Sequence, residues 1–218
     1  MTGKRALLVD FGGVISRTLF ETHDETERVL GLARGTLTWR GPLDPAHDPL
    51  WQSMQRGEIH EHEYWRTRAR EVGALVGEAW QSPIDYMRRV RGVDPNYAIR
   101  PEAIAVIERL KARGVKIAML SNGLDEFYGA DVRKRMRVLA HIDAMVDATY
   151  TGVLKPDPRA YQQALDAIGA QADEAVFVDD QPANVAGAQA CGIASVQFDV
   201  TRPAESWARV EESFGDPS

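Results

Sequence analysis

Residues 175–190 read Ala-Val-Phe-Val-Asp-Asp-Gln-Pro-Ala-Asn-Val-Ala-Gly-Ala-Gln-Ala. Ala175–Val178 is a short apolar run with the composition of a strand buried on both faces. It stops at two adjacent carboxylates, Asp179 and Asp180, after which Ala183–Ala190 has the pattern of a helix that ends before Gly192. Strand, polar turn and helix in that order form the repeating unit of an alternating α/β chain.

Outward from this stretch the unit recurs. Apolar runs at Ala6–Val9, Lys116–Leu120, Ala144–Val146 and Ser195–Phe198 read as further strands. Helical patterns lie between them: Glu102–Arg113, opened by Pro101 and closed by Gly114, and Pro158–Ile168, closed by Gly169. Strands separated by helices of that length require right-handed crossovers. The predicted fold class is therefore α/β, a Rossmann-like parallel sheet with helices on both faces. Residues 16–97 break the alternation: they hold amphipathic stretches, Trp39, Trp51, Trp65, Trp80 and a Gly-Pro-Leu-Asp-Pro linker at 41–45, but no strand-like run. That segment reads as an α-helical subdomain inserted after the first strand. The expected domains are residues 1–15 with 98–218 as an α/β core and 16–97 as the insert.

With 44% hydrophobic and 27% charged residues, the chain of 218 residues has the composition of a folded protein with a real core. A formal charge of −6 argues against a broad nucleic-acid footprint, and Arg133-Lys134-Arg135-Met136-Arg137 reads as the solvated face of a helix. The single cysteine, Cys191, excludes an internal disulfide and reads as a small buried residue of a protein in a reducing compartment. No stretch has the length of a signal-peptide core or a bilayer span, so a cytoplasmic protein with no membrane and no nucleic-acid partner is expected. The oligomeric state is left open.

Ligands of parallel sheets bind beyond the carboxyl ends of the strands, which directs attention to the residues that follow each run. Asp10, before Gly12-Gly13, places a carboxylate at a tight turn, where it can attack phosphorus or simply cap the turn. Ser121 and Asn122 supply a hydroxyl and an amide for phosphoryl oxygens, although Ser-Asn-Gly is also an ordinary turn. Lys155, fixed before Pro156, offers a point charge to a phosphate or carboxylate; alone it would be a solvated loop lysine. Asp179 and Asp180 repel each other unless a cation or donors offset them, and hard oxygen ligands suit Mg²⁺. Asn184 stands four residues after Asp180, placed either to orient that carboxylate or to cap the helix. His23, His47, His60 and His62 fall in the insert and read as surface or packing residues rather than catalytic ones.

Taken together, Asp-Phe-Gly-Gly-Val, Leu-Ser-Asn-Gly, Leu-Lys-Pro-Asp-Pro and Val-Asp-Asp-Gln-Pro-Ala-Asn, in this order, resemble the motif set of the haloacid dehalogenase superfamily of hydrolases. The resemblance covers essentially the whole chain. The insert is similar to the helical cap of many members, and Gln55-Arg56-Gly57-Glu58-Ile59 with Glu63-Tyr64-Trp65 is similar to the cap of the phosphatase branch. The resemblance implies that Asp10 is a nucleophile forming an aspartyl-phosphate, that Mg²⁺ is held by Asp10, Asp180 and the main-chain carbonyl of Gly12, and that Asp179 supports the metal shell. It also implies that Ser121 and Asn122 hold phosphate oxygens, that Lys155 neutralises the nucleophile and the transferred group, and that the cap closes over the strand ends. The implied activity is a Mg²⁺-dependent phosphohydrolase acting on a small phosphorylated metabolite.

The sequence departs from that pattern at Gly12, where such phosphatases usually carry a second aspartate as general acid. Two other readings stand beside the phosphatase. A 2-haloacid dehalogenase would use the same aspartate without metal, but would have little reason to hold Asp179 beside Asp180. A catalytically weak binding protein would keep the fold, with Gly12 as the mark of lost activity.

Overall fold

The computed structural model describes residues 3–215; the outer limits expected for the core, residues 1 and 218, lie outside the described residues. Five strands, β1 (Ala6–Val9), β2 (Lys116–Ser121), β3 (Ala144–Asp147), β4 (Ala175–Asp179) and β5 (Ala194–Gln197), form one sheet in the order β3-β2-β1-β4-β5. Every pairing is parallel, with Ala6 beside both Lys116 and Ala175, Ala118 beside Ala144, and Val176 beside Ala194. The helices are α1 (His23–Leu30), α2 (Pro49–Gln55), α3 (Glu61–Leu75), α4 (Pro83–Arg91), α5 (Pro101–Ala112), α6 (Leu124–Tyr128), α7 (Ala130–Arg133), α8 (Ala148–Thr151), α9 (Pro158–Ile168), α10 (Pro182–Ala190) and α11 (Pro203–Glu212).

The strand runs are uninterruptedly apolar because both sheet faces are covered. Ala6, Leu8, Ala118, Leu120, Ala175 and Phe177 form one cluster with Tyr161, Ala164 and Leu165 of α9 and Ala188 of α10. The alternate residues Leu7, Val9, Ile117, Met119, Val176 and Val178 point to the opposite face and are equally buried. There α11 packs against α5 and β5. Helix ends follow local chemistry. In α9 the Asp157 carboxylate accepts the Arg159 N–H, Pro158 occupies the first turn, and Gly169 closes the helix in the left-handed region at φ 64°.

The chain divides into two compact units, Met1–Arg17 with Ile99–Asp125 and Met136–Ser218, and Thr18–Ala98 with Glu126–Arg135. All five strands belong to the first. The second is helical, and its interior is aromatic: Phe20 meets Trp39, Trp51 and Trp65 with ring centroids 5.5, 5.3 and 5.2 Å away. Beneath these rings Asp48, fully buried, accepts from the Gly41 and Trp51 N–H groups, the Tyr64 hydroxyl and the Arg68 guanidinium.

Three expectations need correction. The segment 41–45 is no loose linker: it forms two single turns, Gly41–Leu43 and Pro45–His47, that lead into the Asp48 cluster. The basic run is not one helix face, since α7 ends at Arg133, Met136 is buried, and Arg135 turns its guanidinium onto the carbonyls of Gly92 and Val93. Cys191 is partly exposed, because it sits just past the end of α10 at the margin of the core. Among the described residues no helix is long and apolar enough to cross a membrane.

Candidate active site

The strand order puts a switch point between β1 and β4. From β1 the chain builds outward through β2 and β3, then returns to lay β4 on the other side of β1. A crevice forms at the carboxyl ends where the direction reverses. Asp10 directly follows β1, Asp179 ends β4 and Asp180 follows it. One carboxylate oxygen from each of these three residues lies within 4.8 Å of the others.

Lys155 joins the group from the loop before α9. Its ammonium donates to Asp10 Oδ1 at 2.6 Å and to Asp179 Oδ2 at 2.7 Å. Only 4% of the residue is exposed. Burial by itself favours the neutral amine, but Asp10 and Asp179 outweigh it and hold Lys155 above its ordinary pKa, so it remains an ammonium. The lysine is aimed by Asn122, whose Oδ1 accepts the Lys155 N–H at 2.7 Å and whose Nδ2 donates to the Lys155 carbonyl at 3.1 Å. The Asn122 amide thus spends both ends on the lysine backbone, and at most its second N–H remains for a ligand. Ser121 is buried at the end of β2 and accepts the Gly123 N–H at 3.2 Å, which leaves its own proton to donate.

Asp179 is the most heavily bonded of the acids. Beyond Lys155 it accepts from the Gln181 N–H at 2.8 Å, and both its oxygens lie 3.1 Å from Asn184 Nδ2. Asn184 therefore orients Asp179 rather than Asp180, and it does not cap α10. Asp179 acts as the fixed counter-charge of Lys155, whereas Asp180 is only half-buried.

The turn after Asp10 depends on two glycines. Gly12 (φ −71°, ψ 125°) and Gly13 (φ 78°, ψ −24°) have the angles of a type II turn, whose third position requires φ above zero. Gly13 is needed for a second reason: a Cβ there would lie 2.7 Å from Asp180 Oδ2. Gly12 has ordinary angles, and a Cβ there would meet only Asp10 Oδ2, at 3.9 Å. On the far side of the turn the buried Arg100 guanidinium donates to the Gly13 carbonyl. Sequence reasoning missed Arg100, because one arginine before a helix-opening proline carries no signal until its burial is known. Of the three carboxylates, Lys155 bonds Asp10 and Asp179.

The histidines of the helical unit divide. His23 is buried against Trp39, with ring centroids 4.3 Å apart, while His47 pairs with exposed Asp44 and His62 with Glu126.

Comparison with known proteins places this geometry. A family model described as haloacid dehalogenase-like hydrolase matches residues 4–192. The (S)-2-haloacid dehalogenase 4A of Burkholderia cepacia is 37% identical over 100 residues, 45% of this chain and 42% of that protein. The phosphoserine phosphatase of Thermus thermophilus is 32% identical over 158 residues, 70% of this chain and 60% of that protein. The matched stretches thus span less than two thirds of either relative. Among solved structures, the putative hydrolase YfnB of Bacillus subtilis superposes with a TM-score of 0.64 at 15% identity, over 90% of this chain and 87% of that one. A dehalogenase superposes with a TM-score of 0.61 at 22% identity, over 91% and 86%. At such identities the likeness is one of fold. The profile match spans nearly the whole chain and the five-stranded parallel sheet agrees with it, so the protein belongs to the haloacid dehalogenase-like hydrolases.

Proposed function

We propose that this hydrolase is a Mg²⁺-dependent phosphatase of small phosphorylated metabolites, with Asp10 as nucleophile. The observation that carries the reading is the excess of acid at the switch point: three carboxylates within 4.8 Å of one another, of which Lys155 contacts two. Adjacent carboxylates at that density call for a cation, and an all-oxygen donor set of this kind fits Mg²⁺. Asp10, Asp180 and the Gly12 carbonyl would hold it, with Asp179 in support. When bound, the ion would neutralise charge on the phosphoryl oxygens.

In this reading Lys155 pins Asp10 Oδ1, and Oδ2, on the Gly12 side, attacks phosphorus. The new P–O bond forms as the ester bond breaks, and the leaving oxygen keeps the electron pair and takes its proton from solvent or from the substrate itself. Ser121 donates to a phosphoryl oxygen, Asn122 adds its remaining N–H, and the Lys155 ammonium offsets the charge transferred to Asp10. Water then attacks the aspartyl-phosphate, restoring the carboxylate and releasing phosphate. The helical unit is proposed to set the substrate range.

The relatives support both members of a pair of chemistries, since one is a phosphatase and another a dehalogenase. The phosphatase match spans 70% of the chain against 45% for the dehalogenase. The test is a panel of phosphorylated metabolites assayed with Mg²⁺ and with excess chelator, run beside chloride release from 2-haloacids in chelator. Phosphate release that disappears with the metal supports the reading. Chloride release that persists without metal replaces it with the dehalogenase.

A further inference from the structure

Arg100 is a buried charge, 2% exposed, that the chemistry above does not use. It stands where the chain re-enters the first unit, and its main chain is tied there: its N–H donates to the Ile15 carbonyl at 2.9 Å, and Ser16 pairs antiparallel with Ile99. Its side chain reaches back to the turn after Asp10. Nε and Nη2 converge on the Gly13 carbonyl at 3.3 and 3.0 Å, and the guanidinium carbon lies 5.5 Å from the centre of the Phe198 ring.

Removing a guanidinium from water is costly, and an apolar side chain would pack beside Phe198 without that cost. The guanidinium takes a two-pronged hold on one carbonyl. That carbonyl belongs to the freest part of the turn, since two successive glycines have the widest choice of backbone angles and lose the most entropy on being ordered. Its conformation matters on both sides. Asp10 lies three residues before Gly13, and the Asp180 carboxylate covers the Gly13 Cα so closely that a Cβ there would be 2.7 Å from Oδ2.

We propose that Arg100 is a positioning residue: it holds Gly12-Gly13 in the one turn conformation that lets Asp10 and Asp180 approach each other. The Phe198 ring lies against the guanidinium, and the Ile15 carbonyl anchors its backbone. Its effect on turnover rests on the phosphatase reading, whereas its hold on the turn does not.

The test uses the full chain with Arg100→Met, which keeps the apolar stem, and Arg100→Lys, which keeps the charge without the fork. Amide hydrogen exchange of a peptide covering residues 11–16 is expected to speed up by roughly tenfold or more in Arg100→Met and less in Arg100→Lys, while exchange in β4 stays unchanged. On the best phosphate ester, kcat is expected to fall by about 10²-fold in Arg100→Met with KM altered by less than about threefold, since the loss is one of alignment. Guanidinium ion added to Arg100→Ala is expected to restore part of kcat. Unchanged exchange over residues 11–16 would overturn the proposal, and so would faster exchange with kcat intact. If no ester is turned over by the wild type but the exchange difference appears, the phosphatase reading fails and the hold on the turn stands.

Discussion

The two units each bury a cluster built on an acid and a base, and the clusters differ in charge balance. In the helical unit one carboxylate, Asp48, takes donors at both oxygens from Gly41, Trp51, Tyr64 and Arg68, and the Arg68 guanidinium lies 5.0 and 5.1 Å from the centres of the Trp39 and Tyr64 rings. Arg68 donates in addition to the exposed Glu71 at 2.6 Å, so each carboxylate there is bonded directly to the base. At the strand ends three carboxylates meet, and Lys155 bonds two of them, Asp10 and Asp179. A buried cluster in which each acid is bonded to the base is scaffolding. An unbalanced one stores repulsion that a ligand of opposite charge relieves, and this is the physical mark of a site.

The sharpest way to break this distinction is to neutralise one acid at each place. Asp10→Asn is expected to abolish turnover, by at least about 10⁴-fold, because an amide cannot accept the phosphoryl group. The melting temperature should hold or rise, since one repelling charge is gone. A phosphate-release assay beside thermal melting checks both; activity near wild type would remove Asp10 from its role.

Adding an acid tests the other direction. Gly12 has angles open to any residue and room for a Cβ, so Gly12→Asp should fold. With no side chain there, the wild type gives the leaving oxygen no donor from that position and should favour aryl or acyl phosphates over alkyl ones. General acid help amounts to roughly 10²–10⁴-fold, so the variant should gain most on alkyl esters and show a flatter dependence on leaving-group pKa. If wild type already treats aryl and alkyl esters alike and the variant gains nothing, another group is the acid.

In the balanced cluster the expected cost moves from activity to folding. Asp48→Ala removes the buried partner of Arg68, which keeps only the exposed Glu71, and takes away the acceptor of two backbone N–H groups and a phenol, so unfolding free energy should drop by about 3–5 kcal/mol. Denaturant unfolding measures it. A loss under about 1 kcal/mol would show that Asp48 is no scaffold.

The two clusters were unequally legible. The sheet and Asp10, Lys155, Asp179 and Asp180 could be read in the sequence because short apolar runs stop abruptly on chemistry, and parallel topology brings every such stop to one edge. The roles of the residues that aim them could not. Asn122 reaches Lys155 across 33 positions and Arg100 reaches Gly13 across 87, distances over which no periodicity carries information. Asn184 serves Asp179 rather than Asp180 because α10 begins at Pro182 and swings the amide back onto the strand end, which spacing alone does not reveal. Around Asp48 the Gly-Pro-Leu-Asp-Pro stretch at 41–45 marked a break but read as a linker. The burial of that break depends on Tyr64 and Arg68, 16 and 20 positions on, from α3.

The smallest expected effect concerns His23, and it asks how far the helical unit resists an uncompensated charge. His23 is 2% exposed against Trp39, and burial, with Arg40 adding repulsion, lowers its pKa from 6.5 to about 4. The sign follows from which state binds the proton. Below pH 6.5 the unfolded chain takes up a proton that the folded chain refuses until about pH 4, so acid favours unfolding across that window. The stability present above pH 6.5 should therefore fall as pH drops, by roughly 3 kcal/mol at most, reaching its floor near pH 4. His23→Leu keeps an apolar side chain against Trp39 and has nothing to titrate, so the difference between wild-type and variant unfolding free energy should shrink or reverse between pH 7 and pH 4. Urea unfolding at several pH values reads this directly. Parallel curves for the two proteins would mean that His23 accepts its proton without leaving the aromatic cluster. The helical unit would then tolerate the kind of charge imbalance that otherwise sets the strand ends apart.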